Sequence, residues 1–126
     1  MIRSNRVFRS IGGTAIGILY QNAIPVFADV DPRTYNLDPA SVEAKITERT
    51  KAILVVHLAG NPADMDPLLA LAEKYKLKVI EDCAQSFLAY HQGRLVGTLG
   101  DYGVFSTNDF KQISTGEGGI VLVNSG

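Results

Sequence analysis

The sequence predicts an α/β domain of three layers, in which a mostly parallel sheet carries helices on both faces. Short apolar runs alternate along the chain with amphipathic stretches, which is the pattern of strand–helix–strand units. The run at residues 51–58 is almost continuously apolar, as expected for a strand that is covered on both faces. Crossover connections between such strands make neighbouring strands parallel.

Five strands follow from the apolar runs. They are predicted at residues 25–30, 51–58, 78–83, 102–107 and 119–124. The glycine-rich run at 116–119 suggests a tight reversal, so the last strand is expected to be antiparallel to its neighbour.

Three helices are also predicted. Asp38 precedes a proline, a cap followed by proline at the first helical position, and this predicts a helix over 39–47. Asp66 repeats the signal, and apolar residues at i, i+3, i+4 and i+7 from Leu68 form one helical face. A further helix is predicted at 16–20.

The composition is that of an ordinary soluble globular protein. The chain has 126 residues, 46% of them apolar, and a net charge of −1, so nothing indicates a nucleic-acid or membrane partner. Its single cysteine excludes an internal disulfide, and a cytoplasmic location is expected. The arginine-containing start has no apolar stretch behind it and is not a secretory signal.

Polar residues end several of the apolar runs. His57, Asp82 and Ser106 each follow a predicted strand, and Lys111 lies five residues beyond Ser106. Because ligands of open α/β sheets bind at the carboxyl ends of the strands, these side chains indicate a site for a small anionic ligand, with the lysine as a point of covalent attachment. The set lacks metal-ligand spacing, and no dinucleotide or Walker motif is present.

Each of these residues also has a purely structural interpretation. Asp82 could be a helix N-cap, and Ser106 could cap a turn. Lys111 could be a solvated lysine, and His57 a strand-end histidine with satisfied hydrogen bonds.

Several motifs together resemble one family. Segments 79–85 (VIEDCAQ), 93–97 (GRLVG) and 105–106 (FS) are followed by Lys111 and by segment 116–119 (GEGG). In this order and spacing they resemble the nucleotide-sugar aminotransferases called the DegT/DnrJ/EryC1/StrS family. The likeness extends from about residue 14 to residue 124.

The resemblance implies a pyridoxal 5′-phosphate (PLP) site. Asp82 matches the aspartate that pairs with the pyridine nitrogen, and Gln85 matches the residue that touches the phenolic oxygen. Ser106 matches a phosphate-binding hydroxyl, and Lys111 matches the lysine that holds the cofactor covalently and moves the substrate proton. Asp82 and Lys111 are therefore expected to face each other across the width of a pyridine ring, with Gln85 about one helical turn past Asp82.

His57 and Asn108 are expected to line the same pocket. The family usually places an aromatic ring on the cofactor, where this chain has Ile11. No metal is expected.

The implied reaction is the transfer of an amino group from a donor such as glutamate to a keto-sugar on a nucleotide, in polysaccharide or antibiotic sugar biosynthesis. Residues 1–13 are expected to form a poorly determined N-terminal segment, and 14–126 a partial PLP-binding large domain without its C-terminal substrate domain. A homo-oligomer is expected, because exposed sheet edges favour association. Two alternatives are a non-catalytic, self-assembling α/β module and a PLP-dependent sugar dehydratase or lyase; Lys111 argues against those dehydratases that replace the lysine with histidine.

Overall fold

The computed structural model describes residues 12–124 of the chain. Its helices are α1 (Gly12–Tyr20), α2 (Pro39–Glu43) and α3 (Met65–Tyr75), with a short 3-10 turn at Leu58–Gly60. Its strands are β1 (Ala52–Val56), β2 (Lys78–Asp82), β3 (Tyr90–His91), β4 (Arg94–Leu95), β5 (Tyr102–Ser106) and β6 (Gly119–Val123). None of the described helices has both the length and the apolar character needed to cross a bilayer.

The main sheet has four strands in the order β1-β2-β5-β6. The β1–β2 and β2–β5 pairs are parallel, and β6 runs antiparallel to β5, as the glycine-rich run predicted. Gly116 has a φ of 83°, so the reversal before β6 uses a backbone conformation that favours glycine. Strands β3 and β4 form a separate small hairpin.

The core lies between β1, β2 and helix α3. Leu68 and Met65 of α3 are fully buried and pack with Val55 and Val79 of the two strands. Helix α2 adds Val42 to this cluster, and a second cluster surrounds Phe105. On the opposite face of the sheet, Thr14 of α1 hydrogen-bonds Asp82, so helices lie on both faces and the predicted fold class is confirmed.

The predicted strand at 25–30 is wrong. This segment has no sheet partner in the described chain beyond one isolated bridge from Val30 to Leu37. Its neighbouring backbone groups are used in a turn, where Asp31 N–H donates to Asn36 O and Asp38 N–H donates to Asp29 O. Apolar content alone could not reveal this, because a strand also requires a neighbour to pair with.

The helix starts were predicted with mixed success. Asp38 is the N-cap of α2, and its carboxylate accepts from Ala40 N–H at 3.0 Å, but the helix ends at Glu43, not at residue 47. Asp66 is not a cap: α3 begins at Met65, and Asp66 lies in its first turn. The Asp66 carboxylate accepts instead from Gln92 Nε2 at 2.7 Å.

Candidate active site

The candidate site lies at the carboxyl ends of β2 and β5. Asp82 is in register with Val104, so Asp82, Val104 and Ser106 share one face of the sheet. Val79 and Glu81 point to the opposite face and are buried. The parallel pairing therefore brings Asp82 and Ser106 to one edge, as the sequence predicted.

Within residues 12–124, two hydrogen bonds hold the Asp82 carboxylate. Ala84 N–H donates to Oδ1 at 3.0 Å, and Thr14 Oγ1 donates to Oδ2 at 2.6 Å. Each oxygen keeps a lone pair for another donor. The N-cap interpretation of Asp82 is wrong, because a turn and not a helix follows it, and Gln85 therefore does not lie one helical turn further on. Sequence reasoning missed Thr14, since only the fold places α1 against β2.

Gln85 and Lys111 line one open cavity. Its volume is about 520 Å³, and Ala84, Phe110 and Gln112 complete the wall. Ala84 also binds the Asp82 carboxylate, so Asp82 lies directly beside this wall. The cavity wall thus contains Gln85, Lys111 and Ala84, and the N–H of Ala84 binds Asp82.

Ser106 and Asn108 organise the loop that carries Lys111. Asn108 N–H donates weakly to Ser106 Oγ at 3.4 Å, which agrees with the interpretation of Ser106 as a turn-capping residue. The Asn108 side chain donates to Glu117 Oε1 at 2.9 Å and accepts from Phe110 N–H at 3.3 Å. Asn108 was expected as a possible lining residue of the pocket; it is not among the residues that line this cavity, and its amide is bonded within the loop.

His57 is buried below the site and does not line the cavity. Its side chain is fully inaccessible, its Nε2 lies 3.0 Å from Glu81 Oε2, and its Nδ1 accepts from Ala63 N–H at 3.0 Å. The strand-end histidine with satisfied hydrogen bonds, one of the two interpretations of the sequence, describes it correctly.

Glu81 lies beneath the site and was not predicted from the sequence. Its buried carboxylate is bonded by His57 and by the backbone N–H groups of Gly97, Leu99 and Gly100, at 2.7–3.0 Å. Burial raises the pKa of Glu81, but the hydrogen bonds from His57 and these N–H groups outweigh burial and hold the pKa below its usual 4.5. In the sequence, Glu81 stands out only as a charged residue inside an apolar run. Such a residue, when buried, needs hydrogen-bond partners for its charge.

Cys83 lies near His57 and Glu81, with potential ligand atoms within 4.8 Å of one another. Burial, with the negative charges of Glu81 and Asp82, raises the pKa of Cys83 to about 12, so its sulfur stays a thiol. Both His57 nitrogens and both Glu81 oxygens already have partners. We therefore interpret this group as a buried hydrogen-bond network and not as a metal site.

A second group of possible metal ligands lies at the surface. It contains Asp64, Asp66 and His91, and Arg94 Nη2 lies 3.2 Å from Asp66 Oδ1. His91 Nε2 is 3.5 Å from the same oxygen. Asp66 already has partners here, because Arg94 and Gln92 Nε2 both bind its carboxylate and join α3 to the β3–β4 hairpin.

The comparisons with known proteins agree with the fold and with the motifs. The model of the DegT/DnrJ/EryC1/StrS aminotransferase family matches residues 10–126. An L-glutamine:2-deoxy-scyllo-inosose aminotransferase from Streptomyces lividus is 55% identical over 111 residues, which cover 88% of this chain and 26% of that protein. GDP-perosamine synthase from Caulobacter vibrioides is 50% identical over 111 residues, 88% of this chain and 30% of that protein.

A solved structure is similar over nearly the same region. An aminotransferase from Psychrobacter cryohalolentis superposes with a TM-score of 0.88 at 45% identity, over 90% of this chain and 29% of that one. The chain spans between a quarter and a third of the length of these relatives.

Proposed function

Because the chain belongs to the DegT/DnrJ/EryC1/StrS aminotransferase family, we propose that residues 82–111 form the cofactor-binding part of a PLP-dependent sugar aminotransferase. The family is PLP-dependent in general. The observation that carries the proposal is that Lys111 and Gln85 line one cavity, beside the backbone N–H that holds Asp82. An amine, an amide and a carboxylate are thereby available at one end of the sheet.

The donor set fits the cofactor. Asp82 would accept a hydrogen bond from the pyridine nitrogen through the lone pairs that Ala84 and Thr14 leave free. Gln85 would donate to the phenolic oxygen, and the Ser106 hydroxyl would bind the phosphate. The bound ring would supply an electron sink for negative charge at the substrate carbon.

Lys111 has two tasks in this proposal. Its Nζ would hold the cofactor's aldehyde carbon, and the same amine would carry the proton that moves at the substrate carbon. Within the described residues no acidic group forms an ion pair with Lys111, so its side chain is available to the cavity that it lines.

For the whole protein we propose a cyclic keto-sugar as the amino acceptor, with a nucleotide-linked sugar as the first candidate. One relative is named for 2-deoxy-scyllo-inosose, a hydroxylated ring ketone, which supports a cyclic keto acceptor. Another is named for its product GDP-perosamine, a nucleotide-linked amino sugar, which supports a nucleotide-linked acceptor. Glutamate is the donor that the family resemblance implies, and the inosose relative is named for L-glutamine, so both amino acids are candidates. A cytoplasmic, homo-oligomeric protein remains part of this proposal.

Absorption spectroscopy with PLP tests the cofactor site. The purified chain is expected to develop a near-visible band with PLP, and borohydride followed by peptide mass spectrometry is expected to locate the fixed cofactor on Lys111. Lys111→Ala should lose both signals, while Lys45→Ala, which removes an exposed lysine from the surface, should keep them. Equal spectra for wild type and Lys111→Ala would contradict the proposal.

The donor is tested on the same sample. L-glutamine and L-glutamate are added separately to the PLP-loaded chain, and loss of the near-visible band marks a productive amino donor. A band that persists with both amino acids would leave cofactor binding in place but contradict amino transfer by this chain.

A further inference from the structure

The loop that follows β1, residues 57–63, connects the buried core to the candidate site. We propose that His57 is a positioning residue that fixes the orientation of the Gln85 amide; this inference rests on the proposed function, which places Gln85 in the cofactor site. His57 itself is fully buried and does not line the cavity. Its effect must therefore pass through the loop.

The imidazole of His57 joins the two ends of the loop to the sheet. Ala63 N–H can only donate, so Nδ1 of His57 must be the acceptor of their 3.0 Å hydrogen bond. The ring proton then lies on Nε2, which donates to Glu81 Oε2 at 3.0 Å. The ring orientation and the tautomer are thus set by a backbone group on one side and a buried carboxylate on the other.

Between these anchors the loop turns through a left-handed conformation. Ala59 has a φ of 52° and Gly60 a φ of 83°. Such a conformation is unfavourable for alanine and persists only where neighbouring contacts impose it. The bonds of His57 to Glu81 and Ala63 and the bond from Ser86 Oγ to His57 O at 2.6 Å contribute those contacts. Buried Asn36 adds to them, because it accepts from Leu58 N–H at 3.2 Å and donates to Asn61 O at 3.0 Å.

The turn aims one backbone donor at the candidate site. Ala59 N–H donates to Gln85 Oε1 at 3.0 Å. Because this bond occupies the oxygen of the amide, the NH₂ end is left as the free end of Gln85. Across residues 12–124 no side chain or carbonyl group accepts from that Nε2, and Gln85 lines the cavity together with Lys111. Gln85 therefore presents a donor, which suits an anionic oxygen such as the phenolic oxygen of the proposed cofactor.

Hydrogen exchange of the chain without cofactor tests the link between His57 and Ala59. His57→Gln is expected to raise the exchange rate of the Ala59 amide about tenfold relative to the Cys83 amide, which is the loss of roughly one hydrogen bond. The Cys83 N–H donates to Val104 O within the sheet and reports opening of the core. His91→Gln makes the same change at the other histidine and should leave the ratio unchanged.

A binding cycle with PLP tests whether His57 acts through Gln85. His57→Gln should weaken PLP binding about tenfold when Gln85 is present and less than about twofold in a Gln85→Ala background, because coupled positions are non-additive. An equal loss in both backgrounds would mean a general structural effect and would overturn the proposal. So would an unchanged Ala59-to-Cys83 exchange ratio.

Two further results separate this inference from the proposed function. If the wild-type chain fails to take up PLP, the proposed function fails, and the exchange ratio alone then decides whether His57 positions the loop. If His57→Gln does not fold, Gln85→Ala alone must still accelerate exchange at Ala59 about tenfold, since it removes the acceptor of that N–H. Protection of Ala59 in this variant would refute the proposed contact.

Discussion

Glu81→Gln removes the charge beneath the candidate site while it keeps the size of the side chain. Two N–H donors point at each carboxylate oxygen: those of Leu99 and Gly100 at Oε1, and those of Gly97 and His57 at Oε2. A glutamine can present its oxygen to only one of these pairs, and its NH₂ group then faces the other pair. Either orientation leaves two buried donors without an acceptor.

The cost of this change can be worked out from those two donors. A buried donor without an acceptor costs about 1–3 kcal/mol, so the substitution should lower the free energy of unfolding by about 2–6 kcal/mol. Because small domains are stable by only about 5–15 kcal/mol, the effect is a large fraction of the total. Glu73→Gln makes the same chemical change on the exposed surface of α3 and should alter stability by less than about 0.5 kcal/mol.

Urea unfolding followed by circular dichroism measures the difference. The midpoint of Glu81→Gln should fall well below that of Glu73→Gln, with a similar slope for both. If the two variants unfold within about 0.5 kcal/mol of each other at pH 7, the four contacts do not stabilise the chain as argued.

The difference in stability between wild type and Glu81→Gln should depend on pH, and its direction follows from the pKa of Glu81. The folded-state pKa of Glu81 is lowered from 4.5, so the folded state favours the ionised carboxylate more than the unfolded state does. This contribution is fully present above the unfolded value and is lost as the pH falls through the lowered folded value. The stability gap between wild type and Glu81→Gln should therefore be constant near neutral pH and narrow below 4.5.

Three further changes test other parts of the fold. Gly103→Ala should prevent stable folding, because a Cβ there would lie 2.6 Å from Gly97 Cα, whereas Gly17→Ala has open space and should leave the urea midpoint nearly unchanged. Cys83 should resist a disulfide reagent at pH 8 and react only after unfolding, because burial raises its pKa to about 12; rapid labelling of the folded chain would contradict this. Asp38→Ala should lower the free energy of unfolding by about 0.5–2 kcal/mol, since it removes the N-cap of α2; an unchanged urea midpoint would show that the cap contributes nothing.

Patterns that depend on neighbouring residues were predicted well from the sequence. The apolar runs located β1 and β2 to within two residues, because strands that are covered on both faces are rich in apolar residues. The glycine-rich run predicted the reversal before β6, since a positive φ at Gly116 is a local requirement. Asp38 was correctly predicted as a helix cap, because its hydrogen bond to Ala40 N–H joins residues that are close in sequence.

Features that depend on distant pairing could not be predicted from local pattern. Segment 25–30 has the composition of a strand but no strand lies beside it in the described chain. The two interpretations of His57 could not be separated from the sequence, because its partners Ala63 and Glu81 meet it only in the folded chain. Thr14 is 68 residues from Asp82, so their hydrogen bond exists only once α1 lies on the sheet.

Side chains alternate between the two faces of β2, so its two adjacent carboxylates lie in different environments. Glu81 points into the core, where it is fully buried and bonded by four donors, and Asp82 points to the opposite face beside the cavity wall. Because consecutive side chains of a strand lie on opposite faces, a one-residue shift of β2 would put the Asp82 carboxylate into the core and expose that of Glu81. The register of β2 with β1 and β5 therefore fixes the candidate site and the stability of the fold at the same time.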